Sequence, residues 1–349
     1  MALINPRRIA APIQHLSLPA LVAGDRREGY EAAVAGAVEP AHPGALPGAD
    51  VHRLAEPKKR APGCLEWEHR PARLPSGKGI LGFARVDGAT ALVRAEAASP
   101  LQILTPRGRG SSAWVFLVSH GGGLVAGDDV ALSVEVGPGA AALLTTQAET
   151  KIYRARDGRG ASQRLDARVG PGGVLALLPD PVSPFAGSRY EQRLRFDLAA
   201  GASLVALDAV AAGRCARGER WSLDRYRSST EVLVAGQRVL ADALALAAPC
   251  AGGPAPDRAL SLRLGRFEVF ATAIAVGPAF ASGAAALLAR LAARPVERGA
   301  SLLAAASRLA DGIFLRCAAG SVEALAGFVR EALAFAATPL GEDPFARRW

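Results

Sequence analysis

The chain has 349 residues, enough for one large or two ordinary domains with a substantial core. Half of the residues are apolar, 41 Lys and Arg outweigh 32 Asp and Glu, and the net charge is +9 with a pI near 10.0. The arginines are scattered without a basic helix or interleaved aromatics, which argues against nucleic-acid binding; four widely spaced cysteines (Cys64, Cys215, Cys250, Cys317) argue against a zinc module and for free thiols in a reducing compartment.

Residues 1–62 carry eight of the 24 prolines, mixed charges and the basic run Lys58-Lys59-Arg60, with no sustained period, and read as a disordered extension. The first residues lack the continuous apolar core of a secretory signal, so a cytoplasmic protein is expected. Arg7 and Arg8, with no acid before residue 25, leave an organellar address as a second reading. The expected folded part is 63–349.

Strand patterning begins at Gly79. Ala89 to Ala97 and Leu101 to Leu104 flank a turn at Ser99-Pro100, and Ala113 to Ser119 is a buried-looking run ending at His120, which reads more readily as a core histidine than as a ligand. Next come the glycines Gly121, Gly122 and Gly123, then Gly127-Asp128 and an alternating segment with Val130, Leu132, Val134 and Val136 in one phase. The GxGxxA spacing at Gly121 would need a following helix to bind a dinucleotide. A strand follows, so the glycines are read as turn formers.

Val136 to Leu144 (VGPGAAALL) then recurs 33 residues later as Val169 to Leu177 (VGPGGVLAL), and more loosely 29 residues after that as Leu198 to Ala206. Such a period predicts stacked supersecondary units, each covering the face its neighbour leaves open. Tyr190, Gln192, Leu194, Phe196 and Leu198 alternate once more, and Thr230 to Ala241 and Ala259 to Val276 read as further strands. Val269 to Ala289 is uncharged and long enough to span a bilayer, but Gly277-Pro278 divides it into a strand and a helix. Helical spacing appears at 279–293 and at 321–336, with Leu325, Phe328 and Val329 on the apolar face of the second helix. The predicted fold is mainly β, stacked β-layers of solenoid type with two C-terminal helices.

Asp128, Glu149, Asp180, Asp208 and Glu219 fall at corresponding ends of the repeated units. Singly, such carboxylates cap turns. Together they could line a passage for a hard or borderline cation. Cys215, in Arg214 to Glu219, is a candidate soft ligand. An enzyme reading would have Asp128, Glu149 and Asp180 converge as a metal-assisted hydrolytic site.

Several motifs resemble the urease accessory proteins of the UreD (UreH) family: Gly121–Asp128 (GGGLVAGD), Leu144–Tyr153 (LTTQAETKIY), Leu178–Tyr190 (LPDPVSPFAGSRY), Asp208 with Gly213–Trp221 (GRCARGERW), and Ser228–Val232. The matching positions include Gly121, Gly122, Gly123, Gly127, Thr145, Thr146, Gln147, Lys151, Tyr153, Pro179, Pro184, Gly187, Ser188, Gly213, Arg214 and Gly218. The resemblance covers Gly79 to Phe335 and weakens after Asp242. It implies a non-enzymatic maturation chaperone that binds UreF-type and UreG-type accessory proteins and apo-urease, and through which Ni²⁺ passes transiently without a resident cofactor. It also implies that the passage acids are weak sequential ligands and that the C-terminal helices, at Leu325, Phe328 and Val329, engage the UreF-type partner.

Overall fold

Strands with alternating burial dominate, because period-two apolar runs separated by glycine turns leave one side chain in two for a core. The computed structural model describes residues 74–106, 110–247 and 260–346. The expected extension over 1–62, Cys64 and Cys250 lie outside the described residues.

In chain order, β1 (Lys78–Val86), β2 (Ala89–Ala97) and β3 (Leu101–Leu104) lead into four coils of similar build. The first holds β4 (Ala113–Ser119), β5 (Gly123–Leu124) and β6 (Asp129–Val136); the second β7 (Ala141–Thr146), β8 (Thr150–Ile152) and β9 (Ala161–Val169). The third holds β10 (Val174–Leu177), β11 (Val182–Pro184) and β12 (Arg189–Leu198). In the fourth, β13 (Ser203–Ala211) and β14 (Arg225–Val234) flank a short 3-10 turn, Cys215–Arg217. Then follow β15 (Gln237–Ala247), α1 (Leu260–Leu264), β16 (Val269–Val276), α2 (Ala281–Ala292), β17 (Leu302–Leu309), β18 (Gly312–Ala319), α3 (Val322–Ala332) and α4 (Ala337–Leu340).

Each coil therefore visits three faces, and equivalent strands stack in parallel. One face is β6-β9-β12-β14, another β4-β7-β10-β13, and the short face β5-β8-β11. The sequence repeat is this stack in register: Val136 pairs with Val169, and Val169 with Leu198. After each comes the same turn, with Gly139, Gly172 and Gly201 at φ 63°, 66° and 77°. This left-handed region is open to glycine at little steric cost. Antiparallel strands border the parallel runs. β2 follows β1 and β15 follows β14 in the seven-stranded sheet; β3 borders β4 and β16 borders β13 in the eleven-stranded one.

Two cores result. Between the sheets lie Leu132, Leu165, Phe196, Leu144, Leu175 and Leu204, each at most 3 % exposed. On the far side of the eleven-stranded sheet, Leu143, Val205, Ala273 and Leu315 meet Phe280, Ala284 and Leu287 from α2 and its approach, and Leu325 and Val329 from α3. The helices at 279–293 and 321–336 are thus found as α2 and α3. The break at Gly277-Pro278 is found as well, and no helix among the described residues is long and apolar enough to cross a bilayer.

Two expectations need correction. The strand reading over Ala259 to Val276 holds only from Val269. Leu260–Leu264 is helix α1, and five alternating residues are too few to separate the two periods. The two helices are also not consecutive, because the β17–β18 hairpin lies between them. Its first strand, LLAAASRL, is a half-exposed edge without alternation.

Candidate functional site

The inward positions of the seven-stranded sheet are apolar except over a few rungs. Gln163 on β9, Gln192 on β12 and Ser228 on β14 are laterally paired neighbours in register, one polar side chain per coil. Opposite them, Asp208 on β13 sits partly buried. Its Oδ1 accepts from Gln192 Nε2 at 2.9 Å and its Oδ2 from Ser228 Oγ at 2.5 Å. The Tyr190 hydroxyl, fully buried, donates to Gln192 Oε1 and lies 3.2 Å from Gln163 Oε1 as well. The Tyr226 hydroxyl lies against this group without a well-aligned hydrogen bond of its own.

Desolvation is the main influence on Asp208 and raises its pKa. The Ser228 and Gln192 hydrogen bonds oppose it, and the nearby Asp242 adds to it. Asp242 is in turn paired with Arg316, which joins β15 to β18. Burial likewise raises the Tyr190 and Tyr226 phenols.

This polar group borders a cavity of about 60 Å³, whose polar lining is Ser119, Thr146, Thr150, Gln163, Asp180, Gln192 and Asp208. A water needs roughly 10–15 Å³ of such space, so the cavity accepts a few waters or a partly hydrated ion. Asp180 is held at the cavity by a reciprocal pair. Its backbone N–H donates to Thr146 Oγ1 at 2.8 Å, and that hydroxyl donates to Asp180 Oδ2 at 3.1 Å.

The five expected passage acids therefore divide. Asp180 and Asp208 line the cavity; Asp128, Glu149 and Glu219 do not. Asp128 closes its own turn by accepting the Val125 N–H at 2.8 Å, and Glu149 is exposed at the approach to β8. Glu219 is clamped by Arg214 Nε at 2.9 Å and also accepts the Ala186 N–H at 3.2 Å. The Arg214 hydrogen bond holds the Glu219 carboxyl below its ordinary pKa, and the guanidinium stacks 4.2 Å over the Phe185 ring. Asp128, Glu149 and Asp180 do not converge, so the hydrolytic arrangement does not form. His120 is exposed rather than a core residue. Cys215 lies beside Glu268 and Arg220, not at the cavity, with its thiol pKa raised by burial. Burial pushes Cys317 up to about 12. Among the described residues no group of three His, Cys, Asp or Glu could hold a metal ion.

Leu325 and Val329 are 3 % exposed and Phe328 is half-buried, so the apolar face of α3 is turned onto the sheet and not outward. Leu325 and Val329 are thus covered by the sheet in this packing, and Phe328 keeps part of its surface accessible.

The motif residues gather along the short face. Thr145 Oγ1 donates to the Leu178 carbonyl at 2.7 Å, binding one coil to the next. Gly121 and Gly122 have φ 77° and 71°. A Cβ on Gly123 would run into the Lys151 carbonyl oxygen and come within 2.8 Å of the Tyr153 ring. Tyr153 packs edge-on against Phe185, with centroids 5.4 Å apart, and its hydroxyl donates to the Gly121 carbonyl at 3.3 Å. Gly213, at φ 95°, lies against the Pro184 carbonyl, and Gly218 ends the 3-10 turn in the left-handed region. The Ser188 hydroxyl is buried without a hydrogen-bond partner among the described residues. Pro179 lines the cavity, and Gln147 is exposed.

Thr150, Gln163 and Gln192 carried no site reading in the sequence, and Ser228 entered only as part of the Ser228–Val232 motif. Gln192 stood in the apolar phase of Tyr190, Leu194, Phe196 and Leu198, and a polar residue in that phase was the available signal.

These features define a class: a parallel β-stack with a polar cavity set into its core and a motif-bearing short face, covered on one side by helices. A family profile described as the UreD urease accessory protein matches residues 76–349. Urease accessory protein UreD of Anaeromyxobacter sp. (strain Fw109-5) is 57 % identical over 274 residues, covering 78 % of this chain and 90 % of the relative. The protein of the same name from Sorangium cellulosum (strain So ce56) is 52 % identical over 275 residues, 78 % and 85 % of the two chains. Urease accessory protein D of Oryza sativa subsp. indica is 35 % identical over 218 residues, 61 % and 69 % of the two chains. The chain belongs to the UreD urease accessory protein family.

Proposed function

We propose that this chain is a cytoplasmic, non-enzymatic scaffold for urease maturation. It would bind apo-urease together with UreF-type and UreG-type accessory proteins and help deliver Ni²⁺ to the urease active site. The observation that carries the nickel step is the polar cavity, with Asp180 and Asp208 set into an otherwise apolar core.

A pair of oxygen donors already engaged by Thr146, Gln192 and Ser228 suits cargo rather than storage. Carboxylate and amide oxygens bind nickel more weakly than imidazole or thiolate, and the existing hydrogen bonds would be regained when the ion leaves. Asp180 and Asp208 would act as successive oxygen ligands, with Gln163, Gln192 and Thr146 replacing part of the hydration shell.

The test is urease activation in cells that co-express apo-urease, the two other accessory types and nickel, with and without this chain. Urea hydrolysis and urease-bound nickel are measured. Activation that depends on the chain, and falls at least tenfold with Asp180→Asn or Asp208→Asn but not with Asp128→Asn or Glu149→Gln, is the expected result. Equal activation without the chain overturns the proposal. Equal loss in all four variants removes the cavity from it.

A further inference from the structure

Arginine is concentrated beyond local compensation at one corner of the molecule, where the parallel strands of the seven-stranded sheet begin. Ser188 is its hub. Arg154 forms a β-bridge with it, and the backbone N–H groups of Asp224 and Arg225 donate to its carbonyl at 2.9 and 3.1 Å. Arg189, next in the chain, donates from Nη1 to the Gly158 carbonyl at 2.9 Å and pairs with Asp224 at 3.2 Å, tying the 154–160 loop to β12. That loop also carries Arg156 and Arg159, the latter paired with Asp157 at 2.6 Å.

Five arginines and three aspartates, Asp128, Asp157 and Asp224, thus share the corner, and all three carboxylates are already engaged, Asp128 by the Val125 N–H. Arg154, Arg156 and Arg225 are exposed and make no ion pair among the described residues. Elsewhere on the same sheet most basic residues have an acidic neighbour: Lys78 pairs with Asp129, Arg94 with Glu96, Arg193 with Glu191, and Arg195 and Arg238 with Glu231, while Arg168 stands beside Glu135 and Asp197 in the ladder and Arg227 beside Glu191. A surplus confined to one corner is a local field, not a property of the whole face.

We propose that this corner is a docking surface for an acidic patch on a protein partner. Resting on the maturation reading above, we take that partner to be the client enzyme, apo-urease. A protein fits better than nucleic acid. Arg159 and Arg189 are fixed by acids and a backbone carbonyl, giving set charge positions, and the aromatic side chain at the corner, Tyr153, is packed on Phe185 rather than free to stack on bases. Fixed surface charge of this kind acts mainly on the rate of encounter.

The experiment measures association and dissociation of the full-length protein with purified apo-urease from about 0.01 to about 0.15 M salt, across which the Debye length falls from about 30 to about 8 Å. Wild type is compared with Arg156→Glu/Arg225→Glu and Arg156→Gln/Arg225→Gln, whose side chains hold no structural contact; circular dichroism and melting confirm the fold. The expected result is association at least tenfold slower at low salt in the Glu pair, an intermediate effect in the Gln pair, a flattened salt dependence and nearly unchanged dissociation. Wild-type binding with unaltered rates and salt slope in both variants overturns the docking surface alone. Absence of wild-type binding overturns the maturation reading and the surface with it. Tighter, patch-dependent binding of a short DNA duplex than of apo-urease replaces the protein partner with nucleic acid.

Discussion

Asp208 is where chemistry and stability pull in opposite directions. Its pKa is raised above the ordinary 3.8 chiefly by desolvation, despite the Ser228 and Gln192 hydrogen bonds. A carboxyl with a raised native pKa binds its proton more tightly folded than unfolded, so stability falls as pH rises through the window above 3.8. Asp208→Asn abolishes that term. Its melting temperature should exceed that of wild type at pH 7, and the difference should shrink as pH is lowered toward 3.8; a constant difference across that range would contradict the assignment. On the proposed function the same variant should weaken urease activation, and a gain in stability with a loss of function would mark Asp208 as a carboxylate kept for function and not for stability. Asp208 was legible in the sequence as a candidate. Its partners were not, because they lie 16 and 20 residues away on the other sheet and reach Asp208 only when the two sheets face each other across the core.

Elements are fixed by backbone approach as much as by side-chain burial. At Gly123 the first coil passes so close to β8 that any Cβ meets Lys151 and Tyr153. Gly123→Ala should cost about 1–3 kcal/mol, typical of overpacking, measured by urea denaturation, while Gly218→Ala, with no neighbour near its Cβ, tests conformation alone. At the other end of the chain, Ser321 caps α3 by accepting the Ala324 N–H at 3.1 Å. Ser321→Ala should lower stability by about 1 kcal/mol. β2, β3 and β4 were readable to the residue, because turn residues bracket their apolar runs. The helix α1 and the β17–β18 hairpin were not. The first is shorter than one diagnostic period, and the alanines of the second suit a strand or a helix equally until the sheet edge decides.

The repeat was the strongest whole-molecule signal, since Val136, Val169 and Leu198 occupy one ladder. What it could not show was the second core. There the apolar faces of α2 and α3 close over the eleven-stranded sheet, and Leu325 and Val329 become interior residues. In the middle of the stack each coil supports two neighbours, so damage there is shared. Leu175→Ala, at a fully buried position on β10 between β7 and β13, should cost about 2–5 kcal/mol and unfold in one transition with the rest of the stack. Separate transitions for the coils would show that they are energetically independent.

The antiparallel strands that border the parallel runs have a bearing on solubility. A parallel stack is a template for its own extension, because the last coil offers the same hydrogen-bonding edge that the previous coil used. Here β14 is closed by β15 running the opposite way, with a register shift between Val232 and Leu233. Direction and register both change at that border, so a neighbouring molecule finds no continuation of the ladder. Without β15, the β14 edge would be free to recruit other copies, and open-ended polymer should replace the dispersed protein. The terminal strands act as stop signals for a fold that would otherwise have no reason to end.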